Sequence, residues 1–524
     1  MPRWMVTALP VFILLGACKM GPEYVRPDTQ AEDAWRMAPA SAESLANLPW
    51  WELLKDQELQ KLIRTSLVEN QDLRVAVASV EQFRAQLLIS KFDLAPSLGY
   101  QAGGLTFHNT NNQALTFGEG ISIPNAGGTS NGGTDFSYLS GMVGLKWEID
   151  LWGRIRRSIE AAQAQLLSQE ENQRAVVLGL VGSVAEAYFD LRALDLQTEI
   201  TKRTLKAWDD SVRISRLRFQ HGDIPKLDLD QFEAERAATA AHLTELEEQM
   251  VQQENHISLL LGRRPMTIPR GLALTEQSLP PNVPPGLPSA LLQRRPDIIQ
   301  AEQDLTAATA HIGVAQAQRF PQFSLTGSAG GAGFQLNSLA AGPFATLGAS
   351  ATLSGPLLNA TSLGYQVHAV EAQAKQAVAR YQKAVLTAFK EVEDSLIAVQ
   401  KTRERGEAQE QQVKSLQSAL GFATQRYQGG RASYLDVLTA QRNLFNAELA
   451  LAKTKRTQLV SVVQLYKALG GGWSPAAPAE AEARPVASTS TPAAVGKSIA
   501  DLEPTQNGLT RRSDFPTIPG DDHP

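Results

Sequence analysis

Residues 287–330, LPSALLQRRPDIIQAEQDLTAATAHIGVAQAQRFPQFSLTGSAG, decide the fold of this chain because they repeat an earlier stretch. Residues 70–104, NQDLRVAVASVEQFRAQLLISKFDLAPSLGYQAGG, align with them without a gap. Asp72 then matches Asp297 and Pro96 matches Pro321, a separation of 225 residues. In both copies a helical pattern runs up to a proline and alternating apolar and polar residues follow. A repeat of such units predicts a duplicated architecture.

The repeat continues beyond the first strands with a shorter separation. Leu145 matches Leu353 and Arg218 matches Arg426, a separation of 208 residues. The first copy therefore contains an insertion, which must lie between about residues 103 and 139. Insertions in repeats map to loops, and this stretch is rich in Gly, Asn and Thr.

The duplication divides the chain into six predicted parts. They are a signal peptide at 1–17, an N-terminal wrap and equatorial segment at 18–69, a first repeat at 70–262, a proline-rich equatorial linker at 263–293, a second repeat at 294–473 and a disordered tail at 474–524. The tail is predicted from its Pro, Ala, Ser and Thr content, since so few large apolar residues cannot offset the entropy of ordering.

Alternating apolar and polar residues predict two strands in each copy. The four candidates begin near Ser97, Leu139, Phe323 and Leu347. Strands of about ten residues with one apolar face are typical of transmembrane barrels. Four strands cannot close a barrel, and lipid cannot satisfy an open backbone edge. Several chains are therefore expected to build one barrel.

Two long helices are predicted at 154–221 and 363–428, because neither stretch contains a proline. The first would be about 100 Å long at the helical rise of 1.5 Å per residue. Shorter helices are expected to stack end to end alongside them and so form a wall of even height. These are the return helices at 227–261 and 434–469 and the helices before the strands at 70–94 and 296–320.

The turns between long and return helices are twins, RFQHGDIPKLD at 218–228 and RYQGGRASYLD at 426–436. Their acidic residues could simply compensate the helix dipole, an effect of typically about 0.3–1 kcal/mol. Alternatively, rings of Asp paired with Arg could hold a tunnel mouth shut and favour cations, or Leu435 and Tyr427 could close it by apolar packing. The candidate periplasmic gate residues are Arg218, Asp228, Arg426, Tyr427, Arg431, Leu435 and Asp436.

A short apolar run ends in Leu-Gly-Ala-Cys at residues 15–18, which has the form of a bacterial secretory signal. The stretch resembles a lipobox, in which Cys18 becomes the lipidated first residue of the mature protein. The alternative is an unlipidated signal peptide with a chance cysteine. Because Cys18 is the only cysteine, no disulfide can form within the chain.

Composition excludes several classes of function. With 49 Lys and Arg against 54 Asp and Glu, the formal net charge of −5 provides no basic surface for nucleic acid. No run of about 20 apolar residues could span a bilayer as a helix. Residues 128–132, GTSNG, match a nucleophile-elbow pattern but lack the strand and helix that it requires. The seven histidines have no metal-binding spacing, so no enzyme, metal site or cofactor is expected apart from the lipid on Cys18.

Several motifs in combination resemble the TolC/OprM-like outer-membrane efflux channels, in particular their NodT-like lipoprotein subgroup. The motifs are CKMGPEYVRP at 18–27, WEIDLWG at 147–153, LLQRRPD at 291–297, RFPQF at 319–323 and LYKALGGGW at 465–473. The resemblance implies an α+β membrane protein that forms a homotrimer. Its twelve-stranded transmembrane β-barrel would continue into a long periplasmic α-helical barrel with a mixed equatorial region.

The resemblance also implies a function and a set of partners. The trimer would be a passive duct in the outer membrane, in contact with outer-membrane lipid and extending into the periplasm. A periplasmic adaptor and an inner-membrane RND-type pump would deliver its cargo. The alternatives are the exit duct of a type I protein secretion system and a trimeric coiled-coil structural or binding protein of the envelope.

Overall fold

The computed structural model describes residues 19–28, 35, 51, 54–109, 115–117, 121–123, 134–277, 291–333, 345–358 and 360–471. The predicted signal peptide, the predicted lipidation site Cys18 and the predicted tail at 474–524 lie outside these residues.

In this part of the chain, helices and strands follow the duplicated order that the sequence predicts. The helices are α1 (Gln57–Glu69), α2 (Gln71–Phe92), α3 (Arg154–Gln220), α4 (Lys226–Leu260), α5 (Leu291–Arg294), α6 (Pro296–Ala317), α7 (Ala360–Gln428) and α8 (Tyr434–Ala468). The strands are β1 (Ser97–Asn109), β2 (Leu115–Phe117), β3 (Ile121–Ile123), β4 (Thr134–Ile149), β5 (Gln322–Gly333) and β6 (Thr346–Ser354).

Three details differ from the predicted elements. Helix α7 begins at Ala360, three residues before the expected start at Leu363, because Ala360, Thr361 and Ser362 already form part of its first turn. The short helix α5 interrupts the end of the linker that was expected to be irregular. The insertion contains a small hairpin, β2 with β3, in addition to the four predicted strands.

Among the described helices, none is long and apolar enough to cross a membrane.

One four-stranded antiparallel sheet contains the predicted strands in the order β1-β4-β5-β6. The two copies meet at its centre, where β4 of the first copy pairs with β5 of the second. The register is continuous across the sheet, so that Ser97, Lys146, Thr326 and Ser350 form one row. Strands β1 and β6 lie at the edges and have no further strand partner within the described chain.

The stacking of short helices alongside the long ones is achieved by equivalent joints in the two copies. In the first copy, Asn70 precedes α2 and donates a side-chain hydrogen bond to the carbonyl of Leu260 in the last turn of α4, at 2.9 Å. In the second copy, Arg295 precedes α6 and donates to the carbonyl of Ala468 at the end of α8, at 3.0 Å. The four residues occupy matching repeat positions, so the joint was duplicated with the fold although Asn and Arg differ in chemistry.

A buried carboxylate organises the equatorial region. Asp56 caps the first turn of α1, accepting hydrogen bonds from the backbone N–H groups of Glu58 and Leu59 at 3.0 and 3.3 Å. The same carboxylate accepts hydrogen bonds from the Tyr188 hydroxyl on α3 at 2.8 Å and from the Leu272 N–H in the linker at 3.0 Å. It is fully buried, and a buried carboxylate is tolerated only when it is this thoroughly hydrogen-bonded. Asp56 therefore ties the N-terminal segment, the long helix and the linker together.

The start of the described chain is extended and runs along the helices, as the predicted wrap requires. Arg157 on α3 is buried and donates to the carbonyls of Met20 and Gly21 at 2.8 and 2.9 Å. Gly21 also lies against Gly313 of α6, where a Cβ on Gly313 would come within 2.5 Å of the Met20 carbonyl oxygen. Further along, Arg26 pairs with Glu302 of α6 at 2.7 Å. The segment is thus fixed to the helical layer by backbone contacts that leave no room for a side chain.

Candidate functional site

The two tip turns close in the same way, which explains why glycine recurs at both. Gly222 and Gly430 have φ values of +80° and +67°, a left-handed conformation that costs glycine little. Beyond each glycine, a backbone N–H returns to the carbonyl of the equivalent arginine, Asp223 to Arg218 at 2.9 Å and Arg431 to Arg426 at 2.8 Å. This six-to-one hydrogen bond ends each long helix and reverses the chain.

The return helices begin differently in the two turns. Helix α8 starts with a capping box: the Leu435 N–H donates to the Ser433 hydroxyl at 3.0 Å, and the Ser433 N–H donates to the Asp436 carboxylate at 3.1 Å. Helix α4 starts at Lys226, and its N-cap residue Pro225 offers no side-chain cap. Within one chain, Asp436 therefore caps the start of its own helix.

A hydrogen bond joins the two tips within one chain. Arg218, at the end of α3, donates to the hydroxyl of Tyr427, near the end of α7, at 2.6 Å. The guanidinium carbon also lies 5.1 Å from the centre of the Tyr427 ring, a cation–π distance. The side chain of Arg426 donates instead to the carbonyl of Arg431 at 3.3 Å. Among the described residues of one chain, Arg218 and Arg426 thus engage Tyr427 and a backbone carbonyl rather than Asp228 or Asp436.

An aromatic cluster above the turns holds the two helical hairpins together. Phe232 of α4 packs on Tyr434 of α8 with ring centres 3.6 Å apart, and Trp208 of α3 meets Phe232 edge-on at 6.3 Å. Tyr427 of α7 contacts the same cluster through Tyr434, at 6.0 Å. Burial, together with the nearby Tyr427, Glu235 and Asp228, raises the pKa of the Tyr434 phenol, so this ring stays neutral and serves packing.

The structure adds one gate candidate that sequence reasoning missed. Leu435 is 55% exposed at the second tip, and Leu227 at the matching repeat position of the first tip is 65% exposed. Leu227 lies 208 residues before Leu435, so the repeat in the sequence was sufficient to identify it. Two exposed leucines at equivalent turns provide apolar surface that another chain could cover. Closure of the mouth by ion pairs between chains and closure by these leucines are two alternative predictions.

At the opposite end of the molecule, the sheet has two chemically distinct faces. On one face lie apolar side chains of all four strands: Leu98, Tyr100, Leu139, Val143, Leu145, Phe323, Leu325, Leu347, Ala351 and Leu353. On the other face lie the exposed Met142 and otherwise small or polar side chains at the described positions: Ser97, Gln101, Ser140, Lys146, Ser324, Thr326, Ser328, Ser350 and Thr352. The Thr326 and Ser350 hydroxyls bond to each other at 2.7 Å on this polar face. Apolar-out and polar-in alternation is the pattern of a transmembrane barrel strand.

Two tryptophans lie at the junction between sheet and helices. The indole N–H of Trp147 donates to the Leu94 carbonyl at 2.9 Å, and that of Trp152 donates to the Pro321 carbonyl at 2.8 Å. Trp152 also stacks on Phe320 at 4.8 Å. Both therefore join a strand end to a neighbouring helix end.

Within the described ranges, no three His, Cys, Asp or Glu side chains converge as a metal site requires. The expectation that the protein has no cofactor apart from a lipid stays a prediction.

Comparisons with known proteins agree with this geometry. The family model described as outer membrane efflux protein matches residues 62–263 and 287–471, which overlap the predicted repeats at 70–262 and 294–473. The toluene efflux pump outer membrane protein TtgC of Pseudomonas putida is 36% identical over 474 residues, covering 89% of this chain and 95% of TtgC. The probable outer membrane lipoprotein SilC of Salmonella typhimurium is 30% identical over 468 residues, covering 88% of this chain and 97% of SilC.

A solved structure shows the same fold. The outer-membrane channel OprN superposes with a TM-score of 0.75 at 28% sequence identity, over 87% of this chain and 100% of the OprN chain. The chain belongs to the outer membrane efflux protein family. It is an efflux channel component of the outer membrane, and the predicted fold class and location are confirmed.

Proposed function

We propose that three copies of this chain close one twelve-stranded barrel and one helical tunnel, which together form a passive export duct. The observation that carries this proposal is the four-stranded sheet, whose edge strands β1 and β6 lack partners within the described chain. A sheet with one apolar face can cross lipid only when its edges are paired. Pairing β1 of one copy with β6 of the next satisfies both edges without a new element.

A passive duct needs partners that supply energy. We propose a periplasmic adaptor and an inner-membrane RND-type pump as these partners, with the twin tips as the end nearest to them. The name of TtgC suggests small organic solutes such as toluene as the cargo, since it shares 36% identity with this chain. Metal ions and proteins are competing cargoes.

Two measurements test this proposal together. Native mass spectrometry in detergent should give three chains, whereas a stable monomer that conducts ions in a planar bilayer would rule out the trimer.

Deletion of the gene should increase the sensitivity of cells to toluene and hydrophobic antibiotics, and the intact gene should restore resistance. A deletion strain that becomes sensitive to metal cations alone, or that loses secretion of one protein alone, would reassign the cargo.

We also propose that Cys18 carries lipid. SilC is named as a probable outer membrane lipoprotein. In addition, the ammonium group of Lys19 pairs with Glu160 near the start of α3 at 2.7 Å, which positions the chain beside the sheet end of the molecule. Labelled palmitate should enter the wild-type protein and be absent from Cys18→Ser, while efflux is largely retained because the barrel itself spans the membrane. Equal labelling of both proteins would contradict the proposal.

A further inference from the structure

The polar face of the sheet has an unbalanced charge at one position. Lys146 of β4 lies in the row Ser97, Lys146, Thr326 and Ser350, so every neighbour in its row is an uncharged hydroxyl side chain. Its side chain is exposed. In the part of the chain that the structure describes, no hydrogen bond or ion pair joins the Lys146 ammonium group to any residue.

The nearest carboxylate on the same face is already neutralised. Glu148 lies two residues further along β4, and residues at this spacing point to one face of a strand. Its carboxylate accepts two hydrogen bonds from the Arg154 guanidinium, at 3.0 and 2.8 Å. This bidentate geometry is the strong form of an arginine–carboxylate pair. At the end of β4, Asp150 is paired with Arg156, and Asp93 also lies near Arg154. Both arginines at this level thus have carboxylate partners, whereas the Lys146 ammonium group has none among the described residues.

The remaining neighbours do not change this balance. The polar face of β5 and β6 presents serine, threonine and glycine at the described positions from Ser324 to Ser328 and from Gly348 to Thr352. The polar face of β1 presents Ser97, Gly99, Gln101 and Gly103. Small neutral side chains leave the space above Lys146 open and provide no counter-charge.

We infer that Lys146 is a charge-selectivity residue of the exit duct, which favours anionic solutes over cationic ones at the barrel end. This inference depends on the proposed trimer, because closing the barrel with the polar face inward places three Lys146 side chains in one ring around the lumen. Rings of Lys or Arg are a known way for pores to favour anions. The acidic tips are predicted to favour cations, so the two ends of the duct would have opposite preferences.

The test is the reversal potential of the reconstituted full-length protein in a planar bilayer under a potassium chloride gradient. Lys146→Gln should lower the chloride-to-potassium permeability ratio by roughly twofold at 0.1 M salt, where the screening length is about 10 Å. Lys146→Glu should lower it further. The difference should shrink at 1 M salt, where the screening length is only about 3 Å.

Two matched variants separate charge from bulk. Ser350 lies in the same row on β6, so Lys146→Gln combined with Ser350→Lys returns one charge to the same level and should restore the wild-type ratio. Thr352→Gln enlarges a neutral side chain on the same face without adding charge, so it should leave the permeability ratio unchanged.

The possible outcomes are distinct. An equal permeability ratio in wild type, Lys146→Gln and Lys146→Glu would overturn the inference while leaving the duct intact. Failure of the double variant to restore selectivity would overturn it as well. A wild-type protein that inserts into the bilayer and conducts no ions would contradict the proposed duct itself, and the selectivity inference with it.

Discussion

At the scale of single residues, the contact between the N-terminal segment and α6 is tightly constrained. Arg157 holds the Met20 and Gly21 carbonyls, and Gly313 has no side chain because the chain passes directly over it. Met20 and Gly21 lie in the N-terminal segment, whereas Arg157 and Gly313 lie on helices α3 and α6. Their importance comes from where they meet, close to the membrane end of the helices.

Gly313→Ala is expected to loosen the N-terminal segment. The added Cβ would lie 2.5 Å from the Met20 carbonyl oxygen and 2.8 Å from Arg157 side-chain atoms. Overpacking of this kind typically costs about 1–3 kcal/mol. We expect a lower apparent Tm of the detergent-solubilised protein and faster proteolysis of the segment before Tyr24.

Gly364→Ala in α7 is the matched control, because no atom lies within 4 Å of its added Cβ. Alanine is a better helix former than glycine by about 1 kcal/mol, so this variant should be unchanged or slightly more stable. Equal Tm values for Gly313→Ala and wild type would show that the segment moves aside without cost.

At the scale of elements, the sheet depends on a strict alternation between its two faces. Neighbouring residues of β6 therefore have opposite environments in the proposed barrel, with Ala351 facing lipid and Ser350 facing the lumen. A one-residue change of register would exchange the two faces. All residues of one row across the sheet therefore face the same environment, either lipid or lumen.

Ala351→Arg and Ser350→Arg test this assignment with the same substitution at adjacent positions. An arginine on the lipid face of a barrel costs from about 0–1 kcal/mol near the interfaces to about 2–4 kcal/mol at the midplane, whereas lumen substitutions tune selectivity. Ala351 shares a row with Trp147 at the junction end of the sheet, so we expect a cost towards the lower end of this range. Ala351→Arg should therefore reduce the amount of trimer in the outer membrane, as measured on semi-native gels. Ser350→Arg should assemble close to the wild-type level; the reverse order would mean that the faces are assigned the wrong way round.

At the scale of the whole molecule, the closed state of the duct depends on contacts among six tips in the proposed trimer. Arg218 is engaged with Tyr427 in its own chain and Asp436 caps its own helix. Leu227 and Leu435 remain 65% and 55% exposed. The two leucines therefore present exposed apolar surface at the mouth, beside the exposed Arg431.

We expect Leu227→Ala with Leu435→Ala to raise single-channel conductance more than Arg218→Ala with Asp436→Ala. Truncating a leucine removes several apolar groups worth about 0.8 kcal/mol per buried CH₂, whereas an exposed ion pair contributes about 0–1 kcal/mol. Either effect is repeated in three copies. Arg405→Ala, an exposed change on α7 far from the tip, should leave conductance unchanged. A larger rise in the Arg218 and Asp436 variant would establish an ionic gate instead.

The sequence by itself determined the duplication, the four long strands, the long and return helices and the twin turns. Each follows from a local pattern, because periods of two and 3.6 residues, prolines and glycines act within one element. The resemblance in the motifs between residues 18 and 473 then indicated the family, which the comparisons confirmed.

Only the tertiary structure decided which distant residues meet. The Arg218–Tyr427 hydrogen bond, the Asp56 centre of the equatorial region and the unpaired charge of Lys146 each depend on partners that lie on other helices or strands. The joint of Asn70 with Leu260 and of Arg295 with Ala468 shows the reason most clearly. The two copies keep the same geometry with different side chains, because packing of the helix ends determines the contact and several residue types can satisfy the exposed carbonyl.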